Sequence, residues 1–320
     1  MDHNIDLAMK RISWNRIKIP VKEICLDVVL PSGQSFRWKK DGQEWVSVLN
    51  ELIIILRQED DYILYRTVTS QTKAELTAPM DIENVINDYF NTSIKLSKLY
   101  REFGARDKYF QAIAPLFGGI RILRQDPWET LCSFICSSNN SIKRITQMIE
   151  NICLTFGTYV ATYNGVAFYT FPRPADLCTS SAVVQRLREL GFGYRAAYVY
   201  KTALQVHEWE LLGHELSELR GSSYQEVREF LLGFAGVGPK VADCVCLMAF
   251  DCHNSVPIDT HMWNIVQKRY AKGAKIRPSK SKALSKATYD DISSHLRGLW
   301  GDYAGWAQSV LFISELRKTP

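Results

Sequence analysis

The sequence predicts an α+β fold in which an antiparallel β domain precedes a helical region. Three observations carry that reading. β-branched and aromatic runs separated by polar turns fill the chain from about Arg11 to Val68. From Met80 onward apolar residues recur at helical spacing. The pattern changes once and then stays helical, over 320 residues, enough for two or three packed subdomains.

In the first half, "RIKIPVKEICLDVVL", "QSFRWKK", "EWVSVLN", "LIIILRQ" and "YILYRTV" read as strands. The turns "PSGQ", "KDGQ" and "QEDD" join them into an antiparallel meander. The second half offers clear helix starts. In "DPWE", Asp126 takes the N-cap, Pro127 the first helical position, and Glu129 is expected to reach back to the cap. The helix that follows, "TLCSFICSS", is apolar nearly all round and should be central. "TYNGVAFYTFPRP" interrupts as a hairpin or loop, and helices resume with "VVQRLREL", "YQEVREFLLGF", "PKVADCVCLMAF", "THMWNIVQKRY" and "YAGWAQSVLFISELR". The boundary falls softly between residues 80 and 118, giving domains of 1–117 and 118–320.

Bulk properties exclude several classes. No apolar run approaches the ~20 residues that span a bilayer, and the N-terminus has no apolar core of a secretory signal. A net charge of +5 permits a polyanionic partner without demanding one. The eight cysteines contain no C-x-x-C, so they read as reduced, mostly buried thiols of an intracellular protein. An iron–sulfur cluster would need a C-terminal cysteine quartet, and none follows Cys252.

One stretch asks for a function. "LLGFAGVGPKVADCVC" (231–246) joins two apolar helices through a glycine turn. Gly236 and Gly238 allow positive φ and close approach, and Pro239 suits the first helical position. The free amides beyond it make an anion seat, most naturally for phosphate. Alone, such a turn is as often structural as it is a grip on nucleic acid. Lys240, Asp243, Cys244, Leu247 and Asp251 share a helix face, and the bland reading is an exposed stripe with a weak Lys240–Asp243 pair. The next segment, "SVPIDTHMWNI", changes the weighing. Asp259 stands at an N-cap, where amides would keep it ionised, and a short loop brings it toward Lys240. A helix N-terminus disfavours a cation, which favours the neutral amine that a nucleophile needs.

The whole stretch "LLGFAGVGPKVADCVCLMAFDCHNSVPIDTHMWNI" resembles the helix-hairpin-helix DNA glycosylase superfamily. "LPSGQSFRW" (30–38), "FICSSNNSIKRI" (134–145), "GFGYRAAYV" (191–199) and "LWGDYAGWAQSVLF" (299–312) are similar to the eukaryotic 8-oxoguanine DNA glycosylase/AP lyase family. The likeness runs from about residue 23 to 317, and the departures are Ala235, where proline is expected, and Pro239 immediately before the lysine. It implies two helical subdomains behind the β domain, with the helix-hairpin-helix and its aspartate at about 224–265.

The resemblance implies roles for individual residues. Lys240 matches the nucleophile and Asp259 the carboxylate, while Cys244 lies close to the amine. Gly33 would present a backbone carbonyl to N7, which carries a hydrogen in the oxidised base but is an acceptor in guanine. Phe312 would stack on the extruded base, Gln308 would read its Watson–Crick edge, and the Pro257 carbonyl lies in the matching stretch. Asn139 would fill the vacated space beside a Tyr194 wedge, with Arg144 and Arg195 donating to the orphaned cytosine. Gly236, Gly238, Val241 and His261 would meet the phosphate backbone. Each has a plainer reading: a turn for Gly33, core for Phe312, surface for Gln308 and the arginines.

Lys268, Arg269, Lys272, Lys275, Arg277, Lys280, Lys282 and Lys286 fall in residues 260–289 without one acid, raising the positive potential beside a DNA site. The expected partner is duplex DNA carrying 8-oxoguanine opposite cytosine, met by a monomer without cofactor, metal or membrane. A cation at the hairpin carbonyls is left open. Nuclear residence follows from such a substrate, with a mitochondrial form an alternative although the N-terminus does not resemble a transit peptide. Two rivals stand. A glycosylase of the same fold for another lesion is opposed by Gly33, Gln308 and Phe312, and a non-catalytic DNA-binding protein is opposed by Lys240 with Asp259.

Overall fold

The computed structural model describes residues 13–68, 81–270 and 284–317. Five strands form one antiparallel sheet: β1 (Asn15–Lys18), β2 (Lys39–Asp41), β3 (Glu44–Leu49), β4 (Leu52–Gln58) and β5 (Tyr62–Val68). The order is β1-β5-β4-β3-β2, so β2 to β5 are the expected meander and β1 closes its far edge. The run "LIIIL" in β4 does not alternate because both sheet faces are covered. Ile54 and Leu56 pack with Leu26, Val29, Ile86 and Phe90, while Ile53 and Ile55 pack with Val160, Tyr163 and Phe168 on the other side.

That second cover is a hairpin, β6 (Tyr159–Tyr163) and β7 (Val166–Tyr169), supplied by the helical half. Asn164 and Gly165 turn it, both with positive φ (46° and 74°), which suits the twist of the strands. The structure corrects one strand expectation. "CLDVV" forms a short helix, α1 (Leu26–Val29), whose first amide is bonded by the Gln58 side chain at 2.8 Å. An acceptor from β4 decides the conformation there, not local propensity.

The other helices are α2 (Ile82–Tyr89), α3 (Leu96–Arg106), α4 (Lys108–Ile113), α5 (Pro127–Ile135), α6 (Ile142–Phe156), α7 (Ala182–Glu189) and α8 (Arg195–Leu211). After them come α9 (Tyr224–Leu232), α10 (Pro239–Ala249), α11 (Thr260–Arg269), α12 (Lys286–Trp300) and α13 (Ala304–Leu316). Apart from α2, whose Ile86 and Tyr89 join the cluster under the sheet, their apolar faces share one core that includes α5, which is buried throughout apart from Glu129. Asp126 caps α5 by accepting from the Glu129 amide at 2.8 Å. The Glu129 carboxylate does not return to that cap, contrary to expectation. It pairs with Arg37 at 2.9 Å, a half-buried guanidinium of the β domain that competes for it more strongly than a backbone amide.

Candidate active site

Lys240 stands at the second position of α10, behind an N-cap glycine whose lack of a side chain leaves the first-turn amides uncapped. Its ammonium nitrogen donates to the Ser137 hydroxyl at 3.1 Å and lies 5.0 Å over the Phe134 ring. Asp259 caps α11, accepting from the Met262 amide at 2.8 Å. Both line one pocket. Gly33, Cys244, Pro257, Gln308 and Phe312 line it too. Seven residues spread over 280 positions of sequence thus meet at one cavity. Burial pushes the Cys244 thiol up to about 11 while Lys240 beside it pulls the other way, so at neutral pH the thiol is protonated.

The lysine–aspartate pair read along α10 is not formed. Asp243 is fully buried and accepts from Tyr224 Oη at 2.7 Å, Arg228 Nε at 3.1 Å and Tyr289 Oη at 2.6 Å. Desolvation raises its pKa, and these three donors act against the rise. The Tyr289 hydroxyl also accepts from the Ile258 amide at 3.2 Å. One phenol therefore bridges the lysine helix and the residue that precedes Asp259.

Of the two hairpin glycines only Gly236 uses positive φ (79°), and a Cβ there would stand 2.5 Å from the Tyr198 ring. Gly238 has an ordinary extended backbone and open space where a Cβ would be, so the protein's own packing does not demand glycine there. Val241 is buried. His261 is exposed and meets Phe312 edge to face, ring centroids 5.9 Å apart, at the side of the pocket.

A second cluster gathers at the turn after α5. Asn139 is exposed with φ 47°, and Tyr194 is 55% exposed while donating to the Ser138 carbonyl at 3.3 Å. Arg195 is buried rather than on the surface. Its Nη2 donates to the Ser138 carbonyl and, at 3.2 Å, to that of Asn139, and its guanidinium stacks 4.5 Å from the Tyr194 ring. Arg144 is exposed and reaches the Gly191 carbonyl at 3.4 Å. Within the acid-free run, Lys268, Arg269 and Lys286 are described, and the other five cations lie outside the described residues. Sequence reading missed Phe134 and Ser137, the direct neighbours of the amine. Both sit inside the quoted string "FICSSNNSIKRI", but nothing local marks which of its residues face α10.

The model for the N-terminal domain of 8-oxoguanine DNA glycosylase matches residues 16–131, and that for HhH-GPD superfamily base excision DNA repair proteins matches 132–289. The N-glycosylase/DNA lyase of Saccharomyces cerevisiae is 36% identical over 96% of this chain and 87% of its own. The chain belongs to the N-glycosylase/DNA lyase family. An Arabidopsis thaliana member is likewise 36% identical, over 95% of this chain and 80% of its own. Solved structures of the family superpose closely. The Clostridium acetobutylicum 8-oxoguanine glycosylase/lyase, bound to duplex DNA with cytosine opposite 8-oxoguanine, is 25% identical with a TM-score of 0.77 over 95% of this chain and 97% of that one. MBOgg1 with a low-affinity DNA ligand is 29% identical with a TM-score of 0.80, covering 95% and 99%. As a member of this family the protein is a DNA-binding repair glycosylase with AP lyase activity. No helix among the described residues is long and apolar enough to cross a membrane.

Proposed function

We propose that the protein excises 8-oxoguanine opposite cytosine from duplex DNA, with Lys240 as nucleophile. The neutral amine forms a bond to C1′ as the bond from C1′ to the base breaks, and the departing base takes up a proton. Asp259 balances positive charge developing on the sugar. Ring opening then yields a Schiff base between Lys240 and C1′, and loss of a C2′ proton expels the 3′ phosphate oxygen. An amine makes both steps available where water would give only the first.

The observation that carries the reading is the meeting of Lys240 and Asp259, from separate elements, at one pocket lined by Gly33, Gln308 and Phe312. Extrusion of the base is the only way a duplex could present its C1′ atom there. The Clostridium relative, held with cytosine opposite 8-oxoguanine, supports the same substrate. Residence with nuclear DNA follows from it. The test is borohydride reduction in the presence of duplex with 8-oxoguanine opposite cytosine. The wild type is expected to become covalently joined to DNA and Lys240→Gln is not. An adduct that persists in the variant would assign the nucleophile elsewhere.

A further inference from the structure

We propose that Gln34 and Gln125 are positioning residues that hold the Gly33 main chain in register with the lysine helix, and thereby set how well the pocket engages 8-oxoguanine. The inference rests on the reading of Gly33 as the residue that meets the base at N7.

Gly33 has no side chain with which to anchor itself, its φ is +83°, and a Cβ would lie 2.9 Å from Ile142 on the first turn of α6. Among the described residues none donates to its carbonyl. The anchor is the next residue. Gln34 is 4% exposed, and its side-chain amide lies along residues 121–123 as a neighbouring peptide would. Nε2 donates to the Arg121 carbonyl at 3.0 Å, and Oε1 accepts from the Leu123 amide at 3.0 Å. The Gln34 carbonyl is held in turn by Gln125 Nε2 at 2.9 Å.

Gln125 then completes a path to the amine. Its own amide donates to the Met248 carbonyl at 2.9 Å, and Met248 belongs to α10 and lines the pocket. Its carbonyl accepts from Arg220 Nη2 at 2.7 Å. The extended segment 121–125 is thus a strap, tied on one side to the glycine loop and on the other to the helix that carries Lys240. Selection by one carbonyl needs this stiffness. An N–H···O bond weakens steeply once distance or angle departs from its optimum, and the distinction between N–H and a lone pair fades with it. Glutamine suits the position because the strap offers one acceptor and one donor, which methionine satisfies at neither end.

The experiment compares two reactions of the same protein. Single-turnover excision of 8-oxoguanine opposite cytosine requires the base to be read, whereas borohydride trapping on a preformed abasic site requires Lys240, DNA binding and an intact fold but no base. Gln34→Met is expected to slow excision by about tenfold, the effect of losing one well-placed hydrogen bond in the transition state. Trapping should stay within about twofold of wild type. Gln125→Met should show the same split, and it serves if Gln34→Met does not fold. Excision unchanged in a folded variant, or a parallel fall in both reactions, overturns the proposal. A control separates this from the reading beneath it: 8-methoxyguanine keeps an oxygen on C8 but leaves N7 an acceptor. If the wild type excises it as fast as 8-oxoguanine, the Gly33 reading fails whatever the glutamine variants do.

Discussion

The Lys240 nitrogen neighbours a ring, a hydroxyl and a thiol, with the Asp259 carboxylate on the same pocket wall. That setting was only partly legible. The hairpin motif and its lysine could be read from glycine, proline and apolar spacing, but Asp243, which the bland reading put in a weak exposed pair with Lys240, is turned into the core. The two glycines also separate in a way that the string "GVG" hides. Gly236→Ala combines a positive φ with a Cβ 2.5 Å from Tyr198, so it should cost about 2–4 kcal/mol of stability. Gly238→Ala should stay within about 0.5 kcal/mol in urea unfolding yet weaken binding to duplex DNA, because only an approaching phosphate would meet the new methyl. Equal destabilisation by the two changes would refute this division of labour.

Helix α10 is a mount whose aim is set by its neighbours. Asp243 ties it to α9 through Tyr224 and Arg228 and to α12 through Tyr289, and Tyr289 reaches on to the Ile258 amide next to Asp259. Tyr289→Phe keeps the ring but leaves a buried carboxylate oxygen and an amide short of a partner. Such a loss costs about 1–3 kcal/mol. We expect a lower melting temperature together with a fall in kcat that exceeds any change in KM, measured on 8-oxoguanine duplex. A variant that loses stability with an unaltered kcat would show that the bridge does not aim Asp259. Elsewhere, elements with strong period and clear caps match their strings, α5 after "DP" and α11 after "ID" among them. "CLDVV" did not, because the acceptor that turns it helical comes from Gln58, thirty-two residues away.

At the scale of the whole molecule, segments far apart in sequence are joined by buried polar groups. Arg121 is 1% exposed and donates to the carbonyls of Glu23, Phe90, Asn91 and Ile94, and to the Glu23 carboxylate at 3.2 Å. Burial pulls its pKa down to about 10, so it remains a cation at neutral pH. Glu23 in turn supplies the cap that Lys95 cannot, accepting from the Leu96 and Ser97 amides at the start of α3. Burial pushes the Glu23 carboxyl up, but those amides and Arg121 more than offset it, and the net shift is downward. A depressed carboxyl contributes stability above its unfolded pKa, about 4.3, and that contribution is lost as pH falls through the lower folded value. Glu23→Gln should therefore be less stable than wild type at neutral pH, with the gap narrowing as the solution is acidified below about pH 4. Melting temperatures across that range check it, and a constant gap would remove Glu23 from the acid response.

By itself the chain determined its sheet-then-helices order, its helix starts, the glycine turn with Lys240 and the cap at Asp259, because periodicity, φ preference and capping are local properties. Only the tertiary structure decided that Arg195, Asp243 and Arg121 are enclosed, that Glu129 turns to Arg37, and that Gln34 and Gln125 strap the glycine loop to the lysine helix. The reason is physical: a local pattern shows which face of an element is apolar, whereas the partner of a buried polar group lies on another element, often about ninety positions away.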